Sequence, residues 1–543
     1  LAQDKYILKE KKGTIQPTFT FHGYRFLEIT GIENPVPVEN VKGLVISSVK
    51  ELASSYETSN SRVNKLWENI TWSTYGNFLS IPTDCPQRNE RMGWSGDISV
   101  FARTSTYLTD ASQFLGRHML NMRDVQRTDG RFTDVAPLGG GFGGILWGSA
   151  GITVAWESYQ QYGDLKMLKE HYDSMNEYMA FLASRIDPET DIMNEGPLGD
   201  WLSPEGNKND NTQIWEAYYL YDLKLMTKIA TTLNKAEDAQ AFKETFEKRK
   251  TFFNSKYVHP ETHKTIKSGF ITERRPAIGD NEDPGSMSAG KEIDTQISYA
   301  LPLAFGLFNI EHLPYTREHL VAAIQRQNRD DFGNVLPAYS LMTGFIGTAW
   351  INKALSDHGY DEIAYRLLQQ TSYPSWLYPV DQGATTIWER LNSYTVENGF
   401  GGNNGMNSFN HYAFGAIGAW MYNYSLGIKR DETNPGFQHF ILQPTPDPDG
   451  KMIWAKGHYD SMYGRIESAW KIEDDQLIYH ATVPPNTSAM LYLPASSPTG
   501  ITERGNAIEK ADGIQLIGTE NGNVGLKLTS GSYSFKAPVL HIE

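Results

Sequence analysis

The feature that most narrows what this chain can fold into is a change of hydrophobic periodicity that happens twice. Near residue 58, short β-prone runs give way to helical spacing, with Val63, Leu66, Trp67 and Ile70 on one face behind Ser59, Asn60 and Ser61 as candidate caps. After Gly427 the spacing reverts to that of strands, beyond a joint carrying Pro435, Pro444, Pro446 and Pro448. Between these limits the pattern predicts helices over 95–122, 150–162, 165–185, 213–233, 236–254, 361–370 and 409–426. That many helices exceed a bundle and suit a toroid of paired helices whose inner ring surrounds a pocket. No repeat of fixed period is present, which argues for an irregular barrel over a regular solenoid. The expected domains are 1–45, the tail of an N-terminal β domain; 46–430, the helical domain; and 431–543, a small β-sandwich with the apolar run 489–494 as one strand and strands continuing to His541.

Composition removes several functions. With 49 Lys+Arg against 64 Asp+Glu in 543 residues, the formal charge is −15, and such a surface repels nucleic-acid backbones. Hydrophobic residues at 40% and charged residues at 21% exclude disorder. The lone Cys85 cannot form an intrachain disulfide or supply a cysteine-based zinc site. No window has the roughly 20 consecutive apolar residues of a membrane-spanning helix. The chain begins without Met and with strand-like alternation almost at once, so it reads as part of a longer protein. Oligomeric state is not set by any of these features.

The chemistry concentrates in two places. Residues 84–97, reading DCPQRNERMGWSGD, carry three carboxylates, two arginines, a tryptophan and two glycines just before a helical run. Asp84, Arg88 and Asp97 are suited to vicinal hydroxyls, and Trp94 offers an apolar face to a sugar ring. Taken singly, each could equally be a packing ion pair; the density of the whole points to a site. The second place is GATTIWER at 383–390, followed by NSFNHYAF at 407–414. Glu389 follows an apolar stretch that would tune its ionisation, and His411 can bond a hydroxyl or orient a carboxylate. Long Gly- and Asn-rich connections at 139–144, 279–290 and 398–407 are of the kind that shape sites. Asp134, Trp147, Trp156 and Gly199-Asp200-Trp201 form a scattered third set, in which Trp156 reads as core and Trp201 as pocket. The chain has no P-loop, dinucleotide fingerprint, His-Glu-x-x-His or Gly-x-Ser-x-Gly motif, which leaves carboxylate chemistry.

The run TDCPQRNERMGWSGD at 83–97 closely resembles the signature of the family 78 glycoside hydrolases, the α-L-rhamnosidases. GDWL at 199–202, YPSW at 373–376, GATTIWER at 383–390, NHYAFG at 410–415 and PGFQHFILQP at 435–444 follow in the family's order. The likeness covers nearly the whole chain, including FTFHGYRFLEITG near its start, which looks like the end of a β-sandwich preceding the barrel. It implies a mainly α fold: an (α/α)6 barrel, or six-hairpin toroid, with flanking β-sandwich segments. It implies an inverting exo-acting α-L-rhamnosidase, with Glu90 as general acid and Glu389 as general base. Asp84, Arg88, Trp94, Asp97, Trp147, Trp201 and His411 match positions that line the family's rhamnose subsite. Neither cofactor nor metal is implied. The partner expected is a rhamnosylated carbohydrate or glycoside, in a periplasmic or secreted setting rather than a cytoplasmic one. Another glycosidase, or a non-catalytic carbohydrate-binding relative, is the alternative on the same barrel. Asn89 and Ser149 stand where the family commonly has Asp, and Leu391-Asn392 where it has Trp-Asp, departures that bear on substrate choice.

Overall fold

The computed structural model describes residues 3–10, 12–24, 26–88, 90–270, 289–400 and 407–538. Asn89, most of the 279–290 connection, positions 401–406 and His541 lie outside them. Eleven longer helices follow one another as α1 (Ser61–Asn77), α2 (Ser95–Leu108), α3 (Ser112–Asp124), α4 (Ala150–Tyr162), α5 (Leu165–Ser184), α6 (Asn211–Thr232), α7 (Ala236–Tyr257), α8 (Gln296–Phe305), α9 (Leu313–Gln325), α10 (Ile351–Asp357) and α11 (Asp361–Leu368). Alternate helices touch: α2 packs on α4, α4 on α6, α6 on α8 and α8 on α10. The short helix Phe345–Thr348 then meets the segment Ala413–Ile417, which returns to α2 and closes an inner ring. Helices α3, α5, α7, α9 and α11 each back onto this ring.

The burial of each helix explains its place. Along α6 nearly every residue from Thr212 to Leu223 is buried, and α8 is buried from Gln296 to Leu303, as befits helices packed on all sides. In α7 the buried residues are Arg249, Phe253, Asn254 and Tyr257, so this helix shows one face to the ring and the rest to water. No helix among the described residues is long and apolar enough to cross a membrane.

The β region contains a seven-stranded sheet in the order Ser54–Thr58, Trp454–Ser461, Gly464–Glu473, Gln476–Val483, Gly531–Pro538, Thr502–Glu503, Asn506–Ala507. A five-stranded sheet runs Ile514–Glu520, Asn523–Leu528, Ser488–Pro494, His439–Leu442, Ile428–Arg430, with the third and fourth strands parallel. Alternate residues Ala489, Leu491 and Leu493 are fully buried, the pattern of a sheet with one face in a core.

The structure departs from the local expectations at four places. The stretch 95–122 is two helices, because the Asp110 carboxylate accepts from the Ser112 N–H at 3.1 Å and its hydroxyl at 2.6 Å and starts a new helix. The stretch 409–426 is not one α-helix: Ser408 and His411 pair with Glu389 and Ile387, and helix begins only at Ala413, as a 3₁₀ turn, a short α turn and a π segment ending at Ser425. The β-prone residues of 1–45 form no strand among those described, only the 3₁₀ turn Val38–Asn40, since a strand needs a neighbouring edge to satisfy its N–H and C=O groups. The strand Ser54–Thr58 lies just before the change to helical spacing but inside the stretch 46–430 assigned to the helical domain, and it pairs with the C-terminal sheet.

Candidate active site

The site is built around the turn between the short strand Ile81–Pro82 and α2. Asp84 folds this turn on itself: its N–H donates to the Met92 carbonyl at 2.9 Å and its carboxylate accepts from the Met92 N–H at 3.0 Å. Arg88 then lies at the centre, with Nη2 2.5 Å from Glu90 Oε2, 3.4 Å from Glu389 Oε2 and 4.0 Å from Asp84 Oδ2. Trp94 Nε1 donates to Glu90 Oε1 at 2.9 Å. Glu389 arrives from the other side of the chain, where its N–H donates to Ser408 at 2.9 Å, that of His411 to Ile387 at 2.8 Å, and that of Ile387 to the Ser73 hydroxyl at 2.8 Å.

Asp97 opens α2, and its Oδ1 lies 3.1 Å from His411 Nε2, both side chains being buried. Trp147 is held between two glycines. A Cβ at Gly96 would come within 2.6 Å of its ring, and one at Gly143 within 2.4 Å, so only glycine allows the indole this position. Trp201 is half-buried beside Glu389. The structure thus brings together all the residues singled out from sequence here: Glu90, Glu389, Asp84, Arg88, Trp94, Asp97, Trp147, Trp201 and His411.

Burial sets the electrostatics. It pushes Asp84 up to about 7, helped by the charge of Glu90 and opposed by Arg88. It pushes Asp97 well above the carboxylate range, with Asp84 and Glu389 adding to the effect. His411 is driven down to about 3 by burial and by Arg88. Near neutrality His411 is therefore uncharged, and burial disfavours the charged form of the Asp97 carboxyl beside it. Glu389 is also raised, mainly by burial, against the pull of Arg88 and Arg390. Around it Gln87 Oε1, Glu389 Oε2, Arg390 Nε and His411 Nδ1 are buried without a hydrogen-bond partner among the described residues. Such atoms are costly unless a ligand satisfies them.

Other residues that look chemical from sequence serve the scaffold. Asp200 accepts from the N–H groups of Gly344, Ile346 and Gly347 at 2.6, 2.9 and 3.0 Å, capping the helix that presents Phe345 to the His411 ring at 4.9 Å. Asp200→Ala is expected to lower stability by about 3 kcal/mol, measured by urea denaturation, because three buried donors lose their acceptor. Asp134 accepts from Gly143 N–H at 2.9 Å and from Arg131 at 3.3 Å, pinning the glycine-rich connection. Trp156 is core, as expected. Ser149 is fully buried and donates to Asp222 at 2.6 Å, and Leu391 is buried while Asn392 is exposed. Sequence reasoning missed Gln87, Phe345 and Phe142, whose ring stands 5.6 Å from Trp94. Only the position of Gln87 inside the dense motif hinted at it.

A closed ring of helical hairpins with a loop-borne carboxylate pair beside it is the architecture of a six-hairpin glycosidase. Residues 51–425 match the bacterial alpha-L-rhamnosidase 6 hairpin glycosidase domain, 427–507 the C-terminal domain, and 1–47 the concanavalin-like domain of the same proteins. The chain belongs to the bacterial α-L-rhamnosidase family. An α-L-rhamnosidase of Streptomyces avermitilis is 34% identical over 529 residues, 96% of this chain and 46% of that protein. One from Formosa agariphila is 32% identical over 544 residues, 98% and 54%. The chain spans about half the length of the curated relatives it matches. Among solved structures, the Streptomyces avermitilis enzyme complexed with L-rhamnose superposes with a TM-score of 0.77 at 33% identity, covering 91% of this chain and 43% of that one. The α-L-rhamnosidase from Dictyoglumus thermophilum gives 0.79 at 29%, covering 93% and 52%.

Proposed function

We propose that this chain carries the catalytic centre of an inverting exo-α-L-rhamnosidase, acting on terminal α-L-rhamnosyl residues of plant polysaccharides, oligosaccharides or glycosides. The observation that supports it most is the convergence of Glu90 and Glu389, from separate loops, on one nitrogen of Arg88, which lies 2.5 and 3.4 Å from their Oε2 atoms; the inverting outcome comes from the family likeness and is what the experiment below decides. In this reading Glu90 gives its proton to the glycosidic oxygen as the C1–O bond breaks. Glu389 takes a proton from a water whose oxygen attacks C1 from the opposite face, and no covalent intermediate forms. Asp97, His411 and Asp84 hydrogen-bond the sugar hydroxyls, and Arg88, displaced from between the carboxylates, binds a hydroxyl in turn. Trp94, Trp147 and Trp201 pack against the ring and its methyl group. Because the orphaned polar atoms are amide, carboxylate, guanidinium and imidazole, a neutral polyhydroxylated ligand suits them better than a phosphorylated one. Polymeric plant substrates lie outside the cell, so a periplasmic or secreted site of action accompanies this reading.

Proton NMR of the sugar first released from an aryl α-L-rhamnoside tests it. β-L-Rhamnose at early times is the expected result. Early α-L-rhamnose would overturn the assignment of Glu389 as base and make the enzyme retaining.

A further inference from the structure

Among the described residues from 3 to 46, only Thr20, Phe21, His22 and Gly23 are sheltered from solvent. Their shelter is the loop that carries Arg88 and Glu90. Arg91 Nη1 donates to the Phe21 carbonyl at 2.6 Å, and the guanidinium carbon lies 5.2 Å from the centre of the Phe21 ring. Gly23 approaches Gln87 so closely that a Cβ there would lie 2.9 Å from Gln87 Cβ and 3.1 Å from its Cα. His22 Nε2 meets Asp4 Oδ2 at 2.9 Å, which ties two parts of the N-terminal segment together beside this contact.

The contact continues to both carboxylates. Gln87 Nε2 donates to the Ser408 hydroxyl at 2.7 Å, and the Ser408 carbonyl accepts from Glu389 N–H at 2.9 Å. Arg91 directly follows Glu90 and holds a left-handed backbone, φ +46°, a conformation that costs energy in a residue with a side chain and persists only when its surroundings fix it. A guanidinium held at once by a carbonyl and a ring face is such a fixture.

We propose that residues 20–23 are a positioning element of the active site, a strap that fixes Arg91 and Gln87 and so sets the placement of Glu90 and, through Ser408, of Glu389. The inference rests on the reading of Glu90 as general acid. Phe21 touches neither substrate nor reacting atoms and acts through Arg91. A proton donor must reach the leaving oxygen within roughly 2.6–3.2 Å, and a misplacement of about 1 Å costs on the order of 10²-fold. The loss falls on leaving groups that need the proton, because activated phenolates depart without it.

The test is kcat and KM for α-L-rhamnosides with leaving groups from nitrophenolates to simple alcohols, measured on the chain and on its Phe21→Ala, Gly23→Ala and Glu90→Gln variants. Phe21→Ala is expected to lower kcat on alkyl rhamnosides by about 10-fold or more while sparing nitrophenyl substrates and leaving KM nearly constant. Its dependence on leaving-group pKa then steepens in the same sense as that of Glu90→Gln. Gly23→Ala, which presses on Gln87, should move the same way. An equal loss on every substrate, or no loss, in both strap variants would overturn the strap while Glu90→Gln keeps its steep dependence. A flat dependence in Glu90→Gln itself would bring down the acid assignment, and the strap with it.

Discussion

Glu389→Gln is expected to reduce turnover of aryl α-L-rhamnosides by roughly 10²–10⁴-fold, the contribution a positioned general base makes, while rhamnose binding stays measurable by calorimetry. The amide keeps the shape of the carboxylate but cannot take a proton from water, and it turns one acceptor oxygen into a donor and gives up the charge facing Arg88. The pH profile adds a second readout. Burial raises the pKa of Glu389, and Arg88 and Arg390 only partly oppose it. A base works ionised, so kcat/KM falls as pH drops through that raised value, and this acid limb disappears in Glu389→Gln. Glu90→Gln should lose a comparable factor on substrates with poor leaving groups. Near-normal activity of either variant would reassign its role.

The parts of this site that were legible in the sequence are those whose chemistry is local. Residues 84–97 fold into one turn closed by Asp84 on Met92, so their density in the sequence is also density in space. Glu389 and His411 were legible because each sits in a short distinctive run that pairs with the other across one loop. What escaped was decided by packing between distant segments. Phe345 reaches His411 only because Asp200 caps its helix, and nothing in the residues near Phe345 signals this. The expected helix over 409–426 failed because the Thr104 hydroxyl, which donates to the Ala416 carbonyl and accepts from the Ala419 N–H, takes up groups of the regular helical ladder. Ser54–Thr58 has strand propensity, but its partner Trp454–Ser461 lies at the far end of the chain, and pairing at that range leaves no mark on periodicity. Likewise Asp134, Asp200 and Ser149 carry the residue types of a sugar site, yet Asp134 and Asp200 bond to loops and a helix end, and Ser149 bonds to Asp222 inside α6.

The second large effect is expected where the barrel meets the C-terminal sheets. Glu157 on α4 is buried and accepts from Arg103 of α2 at 2.7 and 3.1 Å and from Arg430, at the end of the strand Ile428–Arg430, at 2.5 Å. Arg103 also lies 5.4 Å from the centre of the Trp350 ring. One carboxylate therefore joins two inner-ring helices to the first strand after the barrel. Burial alone would raise its pKa, but the two guanidinium groups overcome that and hold it at about 2. Glu157→Gln leaves two guanidinium groups facing a neutral amide in a poorly solvated place, and removing one partner of a buried ionic group costs about 3–5 kcal/mol. The sign with pH follows from the depressed value: the ionic contribution is complete above the ordinary glutamate range and is lost as pH falls through about 2. Urea midpoints of the parent chain and of Glu157→Gln should thus differ most near neutrality and converge in strong acid. A small difference that does not change with pH would mean that the contact is packing alone. A large one makes Glu157 the link through which the strand at Arg430 stabilises the same inner helices, α2 and α4, that carry Asp97 and follow Trp147 at the site.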